Sequence, residues 1–117
     1  QCYQLTSDNS MTIFDRIIEF NVQRHLLKEP NWQKEFSFIA EEMSEGLRAN
    51  DVEGKIDALA DIIVFATGAI KKAGYNPNII MEEVLQHIES DKGYFDEEQG
   101  KWIKTERAYT PNFNKAK

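Results

Sequence analysis

Apolar residues recur at helical spacing in four segments of the chain, which predicts four helices, over about 13–29, 32–50, 52–73 and 77–92. Polar residues stand where helix N-caps are expected, at Thr12, Asn31 and Asn76, and Asp15 can complete a capping box with Thr12. Gly74 stands where a glycine often follows the last helical residue. The connections are short, so neighbouring helices should pack antiparallel. The pattern predicts an all-α bundle.

The pattern changes after Gly93. The segment YFDEEQGKWIK places aromatic and β-branched residues on both sides of a polar turn that contains a glycine. This arrangement favours a short hairpin, with an irregular tail as the alternative. Residues 1–11 lack periodicity and read as an N-terminal tail, which leaves a single domain at 12–117.

Composition and charge narrow the classes of partner. The 117 residues carry a net charge of -6, whereas proteins that bind nucleic-acid polymers usually present a basic face. A nucleotide remains possible, because a divalent metal can invert the local charge. The single cysteine, Cys2, fits a reducing compartment, and the longest apolar run is too short to span a membrane. We therefore expect a soluble, cytoplasmic protein.

Two aspartates stand out in the third predicted helix. Asp57 and Asp61 lie four residues apart in IDALADIIVFATGAI, whose only other polar side chain is Thr67. An ionised carboxylate in apolar surroundings is costly unless it is paired or binds a metal. Val64 and Gly68 continue the same stripe, and Gly68 would leave room for a ligand. Because this helix is apolar nearly all round, we predict that it is central and buried.

A second acidic group lies on the second helix, in EEMSE. Glu41, Glu42 and Glu45 span about a quarter of the helix circumference. If the two helices pack antiparallel, both acidic groups converge. Two such charges 4 Å apart repel by about 4 kcal/mol at an effective dielectric constant near 20. Oxygen ligands without histidine or cysteine favour Mg²⁺, or Mn²⁺, as the neutralising ion. The alternatives are a solvated face and pairing with Lys or Arg of a partner subunit.

These motifs, in this order, resemble a known family. Over about 38–111, the chain resembles the all-α nucleoside triphosphate pyrophosphohydrolases. The resemblance rests on EExxE, DALADII, the glycines at 68 and 74, EEVLQHIESDKG and the tail GKWIK…Y…P. That MazG-like superfamily includes dimeric dUTPases and phosphoribosyl-ATP pyrophosphohydrolases, and the tail looks most like its small phage- and mobile-element-type members. The resemblance implies a four-helix bundle that forms a homodimer or homotetramer. It also implies Mg²⁺-dependent cleavage of (d)NTP to (d)NMP and pyrophosphate, in nucleotide-pool house-cleaning.

The resemblance also assigns roles to residues. It makes Glu41, Glu42, Glu45 and Asp61 metal ligands, with Glu42 as the base that orients or deprotonates the attacking water. Relatives usually write the second motif ExxD, but Ala58 occupies the glutamate position here. Asp57, one residue earlier, is the candidate replacement, so the number of metals stays open.

Three further residues are candidates for substrate binding. Lys92 matches a family lysine that could contact phosphate oxygens, and Lys104 is a second such candidate. A lysine at a helix C-terminus is also simply favourable to the helix dipole. Trp32 could stack on the base, although an aromatic residue at helical spacing more often packs in the core. Two other functions stay open: a nucleotide- or metal-binding module without hydrolysis, and a structural helical oligomer.

Overall fold

The computed structural model describes residues 10–117, so Cys2 and all but the end of the N-terminal tail lie outside it. Four helices are followed by a two-stranded antiparallel hairpin and a short 3-10 turn. Their bounds are α1 (Ile13–Gln23), α2 (Trp32–Arg48), α3 (Val52–Lys72), α4 (Pro77–Ser90), β1 (Lys92–Asp96), β2 (Lys101–Glu106) and the turn Phe113–Ala116. The four helices and the hairpin that the sequence predicts are therefore confirmed.

The predicted helix starts are also confirmed. The Thr12 hydroxyl accepts a hydrogen bond from the Asp15 backbone N–H at 3.0 Å, and the Asp15 carboxylate accepts one from the Thr12 N–H at 3.0 Å. Asn31 and Asn76 cap α2 and α4 in the same way through their side-chain oxygens. Each cap satisfies a backbone donor that the first helical turn leaves free.

The first helix is shorter than predicted, because it ends at Gln23 rather than near Glu29. The backbone N–H of His25 bonds the carbonyl of Val22, and that of Leu26 bonds the carbonyl of Asn21. This pair of bonds forms a Schellman motif, and His25 has the positive φ of 57° that the motif requires. Glycine usually occupies that position, so the sequence carries no stop signal there.

The helices α2 and α3 form the antiparallel pair that the short connection predicts. Gly46 lies against Ala58, the Phe38 and Phe65 rings stack with centroids 5.3 Å apart, and Glu35 forms an ion pair with Lys72 at 3.1 Å. In these three contacts the residue number decreases along α2 while it increases along α3, as expected for an antiparallel pair. These contacts fix which residues of the two helices face each other.

The C-terminal segment is fastened to α4 through Glu83. This carboxylate is 3% exposed and accepts hydrogen bonds from the Tyr109 hydroxyl and the Asn112 backbone N–H, with the Lys115 ammonium 3.4 Å away. The bond from Tyr109, followed by that from Asn112, lowers the pKa of Glu83. An ionised Glu83 therefore joins the end of the chain to the bundle.

The prediction that α3 is buried on all sides is wrong for the single chain. Ile56, Leu59 and Ile63 are each more than half exposed, and Leu47 on α2 is 81% exposed. Within residues 10–117, the buried residues of α3 are Ala58, Thr67, Gly68 and Ala69. One side of the helix pair is thus apolar and open to solvent. Across the described chain, no helix combines the length and apolar character that crossing a bilayer requires.

Candidate functional site

A carboxylate from α2 meets a carboxylate from α3 at the middle of the helix pair. Glu42 and Asp61, which we call the acidic pair, lie close enough together for Asp61 to raise the pKa of Glu42. Both are partly buried. Burial raises the pKa of Glu42, and repulsion from Glu45, Asp61 and Glu41 raises that pKa further. Glu42 therefore holds a proton more readily than a free glutamate, and a cation beside it could relieve the same repulsion.

The other three predicted ligands are more exposed. Glu41, Glu45 and Asp57 all lie on the solvent side of their helices. Among residues 10–117, no three His, Cys, Asp or Glu side chains already stand in an arrangement that would hold a metal ion. The structure thus brings together two of the five predicted ligands, and places Glu41 and Glu45 close enough to act on the pKa of Glu42. Metal binding by these residues stays a prediction.

The packing explains why alanine stands at position 58. Ala58 is 5% exposed, and its Cβ lies 3.1 Å from the point where a Cβ on Gly46 would stand. The helices approach each other closely here, so a glutamate at 58 has no space between them. Asp57 is exposed, and it does not contribute to the raised pKa of Glu42.

The predicted substrate-binding residues lie elsewhere. Lys92 pairs with Glu106 at 3.7 Å and Lys104 with Asp91 at 3.5 Å, both on or beside the hairpin. Trp32 is half exposed and tilts against Phe36, with ring centroids 6.4 Å apart. It lines an apolar cavity of about 410 Å³ at the start of α2. The structure does not bring these three residues to the acidic pair.

A groove and a smaller cavity lie where α1 packs against the helix pair. A groove of about 690 Å³ between α1 and α3 contains Asp61 together with Arg16 and Arg24. A smaller cavity of about 260 Å³, which we call the inner pocket, is enclosed by α1, α2 and α3. Its lining is Phe20, Asn21, Leu26, Glu35, Phe38, Val64, Phe65, Gly68 and Lys72. The groove and the inner pocket share Phe20 and Val64, so the two cavities adjoin.

Sequence reasoning missed the polar side chains of the inner pocket. Asn21 and Glu35 are 6% and 7% exposed, and Lys72 is bonded to Glu35. A signal was present: Glu35 stands seven residues before Glu42 and Lys72 eleven after Asp61, spacings that keep each on the same helix stripe as the acidic pair. The space expected beside Gly68 is present, because Gly68 lines the inner pocket, and the Asn21 side chain lies 3.4 Å from where a Cβ on Gly68 would stand.

The helix pair thus carries two features at different heights along its axis: the acidic pair, and the partly polar inner pocket. Carboxylates of this kind can bind a hard divalent cation or accept a proton from water. No family model, curated protein sequence or solved structure matches this chain.

Proposed function

We propose that this protein is a Mg²⁺-dependent nucleoside triphosphate pyrophosphohydrolase, which cleaves (d)NTP to (d)NMP and pyrophosphate. The observation that supports this most is the acidic pair, because two carboxylates of adjacent helices lie close enough for the one on Asp61 to raise the pKa of Glu42. A structural role would favour a lysine or arginine partner, and the ion pairs of the described chain include none for Glu42 or Asp61. The nucleotide would come from the cellular pool, and its cleavage would remove surplus or non-canonical (d)NTP.

The residues present fit a magnesium ion. Glu42 and Asp61 would hold it, and Glu41 and Glu45, which lie close enough to act on the pKa of Glu42, are the candidates for further ligands. When bound, the ion would neutralise the triphosphate and favour ionisation of water. Glu42 is the candidate base: it would accept a proton from the water that attacks phosphorus, while the bond between the α and β phosphates breaks and pyrophosphate leaves. Because its pKa is raised, mainly by burial, Glu42 is a stronger base than a free glutamate.

We also propose that the protein works as a homo-oligomer. The outer face of the helix pair, formed by Met43, Leu47, Leu59 and Ile62, lines a groove of about 320 Å³ that also includes Glu42. Apolar surface of this kind on a stable protein is usually covered by a partner. A second copy on this face would exclude water from the acidic pair. This accounts for the exposed side of α3, which its apolar sequence predicted to be buried.

A second function has specific support. Ala58 is buried at the position where the family that the sequence resembles carries a glutamate, so a nucleotide- or metal-binding module without hydrolysis is the alternative. Pyrophosphate release from a panel of NTPs and dNTPs with Mg²⁺ distinguishes the two. The enzyme should release pyrophosphate from at least one member of the panel, and this release should stop on addition of EDTA. Nucleotide binding without any release would establish the binding module instead.

Metal binding itself can be measured by thermal unfolding. Mg²⁺ or Mn²⁺ should raise the unfolding temperature, because an ion that binds only the folded state stabilises it by about 2.7 kcal/mol at 100 times its Kd. Replacing Asp61 with asparagine should abolish the shift and leave the protein folded. If tens of millimolar of either ion leave the unfolding temperature of the wild type unchanged, the acidic pair does not bind metal.

A further inference from the structure

The inner pocket has aromatic walls and a polar end. Phe38 and Phe65 stack on each other within its wall, and Phe20 of α1 contributes a third ring to the lining. The polar groups are the Glu35–Lys72 ion pair and the Asn21 amide. A planar, partly polar ligand suits such a cavity, because rings provide stacking surface and buried polar groups select hydrogen-bond partners.

The polar groups retain unused hydrogen-bonding capacity. The Lys72 ammonium donates to both oxygens of Glu35 at 3.1 Å, yet each carboxylate oxygen can accept a second bond and the ammonium has three N–H groups. The Asn21 Nδ2 donates to the Ile17 carbonyl at 2.8 Å, which leaves one N–H free for a ligand. The pocket therefore presents an acceptor directly beside a donor.

The distance to the acidic pair suits a nucleotide. Glu35 precedes Glu42 by seven residues and Lys72 follows Asp61 by eleven, which corresponds to roughly 10–16 Å along the helices. The phosphates of a nucleotide at the acidic pair would thus leave its base at the inner pocket, and the shared residues Phe20 and Val64 join the two cavities. This step rests on the proposed function.

We propose that the inner pocket binds the nucleobase and that Glu35 and Lys72 select a base with an exocyclic amino group beside a ring-nitrogen acceptor. Cytosine and adenine both have this edge. The Glu35 carboxylate accepts from the amino group, and the Lys72 ammonium donates to the ring nitrogen. Asn21 supplies a further N–H to the base. Uracil and guanine reverse the pattern, because they place a carbonyl oxygen where the carboxylate lies and a ring N–H where the ammonium lies.

The test uses mononucleotides, whose binding does not depend on hydrolysis. Titration calorimetry with CMP, AMP, UMP and GMP should show CMP or AMP binding at least about tenfold more tightly than UMP and GMP, because a mismatched base leaves buried polar groups unpaired. Because the cavity is small, comparing the affinities for CMP and AMP shows whether the pocket prefers the pyrimidine or the purine that carries this edge. Equal binding of all four, or binding of none, would overturn the inference.

Two variants test whether Glu35 is responsible for the base preference. Glu35→Gln keeps the shape and should reduce the preference for CMP or AMP towards unity, while Glu82→Gln, an exposed control on α4, should keep it. If Glu35→Gln alone does not fold, the double variant Glu35→Gln, Lys72→Gln removes both charges together and is measured instead. A preference that survives in the folded variant contradicts the assignment. Pyrophosphate release without base preference would contradict only this inference, and base preference without release would contradict only the proposed enzyme.

Discussion

Replacing Glu42 with glutamine should lower the rate of pyrophosphate release by about 10²–10⁴-fold, the usual contribution of a general base. Glutamine keeps the size of the side chain but cannot accept the proton of the attacking water. The effect should appear in kcat, because the residue acts on the reaction more than on nucleotide binding. The measurement is a steady-state pyrophosphate assay with the best substrate of the panel.

The same variant should be more stable than the wild type at neutral pH in the presence of EDTA. The pKa of Glu42 is raised in the folded protein, so its favourable contribution is present below the pKa of the unfolded chain and is lost as the pH rises through the folded value. Glutamine carries no charge at any pH, which removes this loss. Urea unfolding from pH 4 to pH 8 should show the difference between the two proteins growing with pH.

The control for both measurements is Glu82→Gln, because Glu82 is an exposed glutamate on α4. It should leave the rate and the pH dependence of unfolding close to those of the wild type. Full activity in Glu42→Gln would remove Glu42 from the reaction. A large loss of stability in that variant would indicate that the acidic pair is structural.

The sequence predicted the helix starts better than the first helix end. Helix caps depend on local sequence, and the capping box of Thr12 and Asp15 can be recognised within four residues. The end of α1 depends instead on the positive φ of His25, and a histidine in a sequence does not by itself predict a positive φ. Leu26 continues the apolar pattern but lies past the helix, because its N–H bonds back to the Asn21 carbonyl. Helical periodicity cannot distinguish these two situations.

For the candidate site, the spacing of the acidic residues predicted which faces of α2 and α3 meet. It did not predict which side chains lie between those faces. The four-residue spacing of Asp57 and Asp61 pointed to α3, and the structure joins only Asp61 to Glu42. The inner pocket was not predicted, because it needs Asn21 from a third helix to lie against Gly68. Such a contact depends on how α1 crosses the helix pair, and no local pattern encodes that crossing.

Lysine at Leu47 or at Leu59 should dissociate the oligomer into single chains. The two residues are 81% and 61% exposed in the single chain and lie on the outer face beside Glu42. Burying a leucine fully is worth about 1.5–3 kcal/mol, and a two-fold interface uses each residue twice. Lysine replaces that gain with the cost of burying a charge. Light scattering coupled to size-exclusion chromatography gives the mass directly.

Ile88→Lys is the matched control, because Ile88 is 53% exposed on α4 and does not line the outer-face groove. It should leave the mass unchanged. Dissociation by Leu47→Lys should also reduce pyrophosphate release, since the acidic pair would then be open to water on the side that the partner covers. A wild type that runs as a single chain at all concentrations would contradict the proposed oligomer. Hydrolysis by that single chain would mean that α2 and α3 of one copy form a complete site, and the apolar face of α3 would then need a different partner.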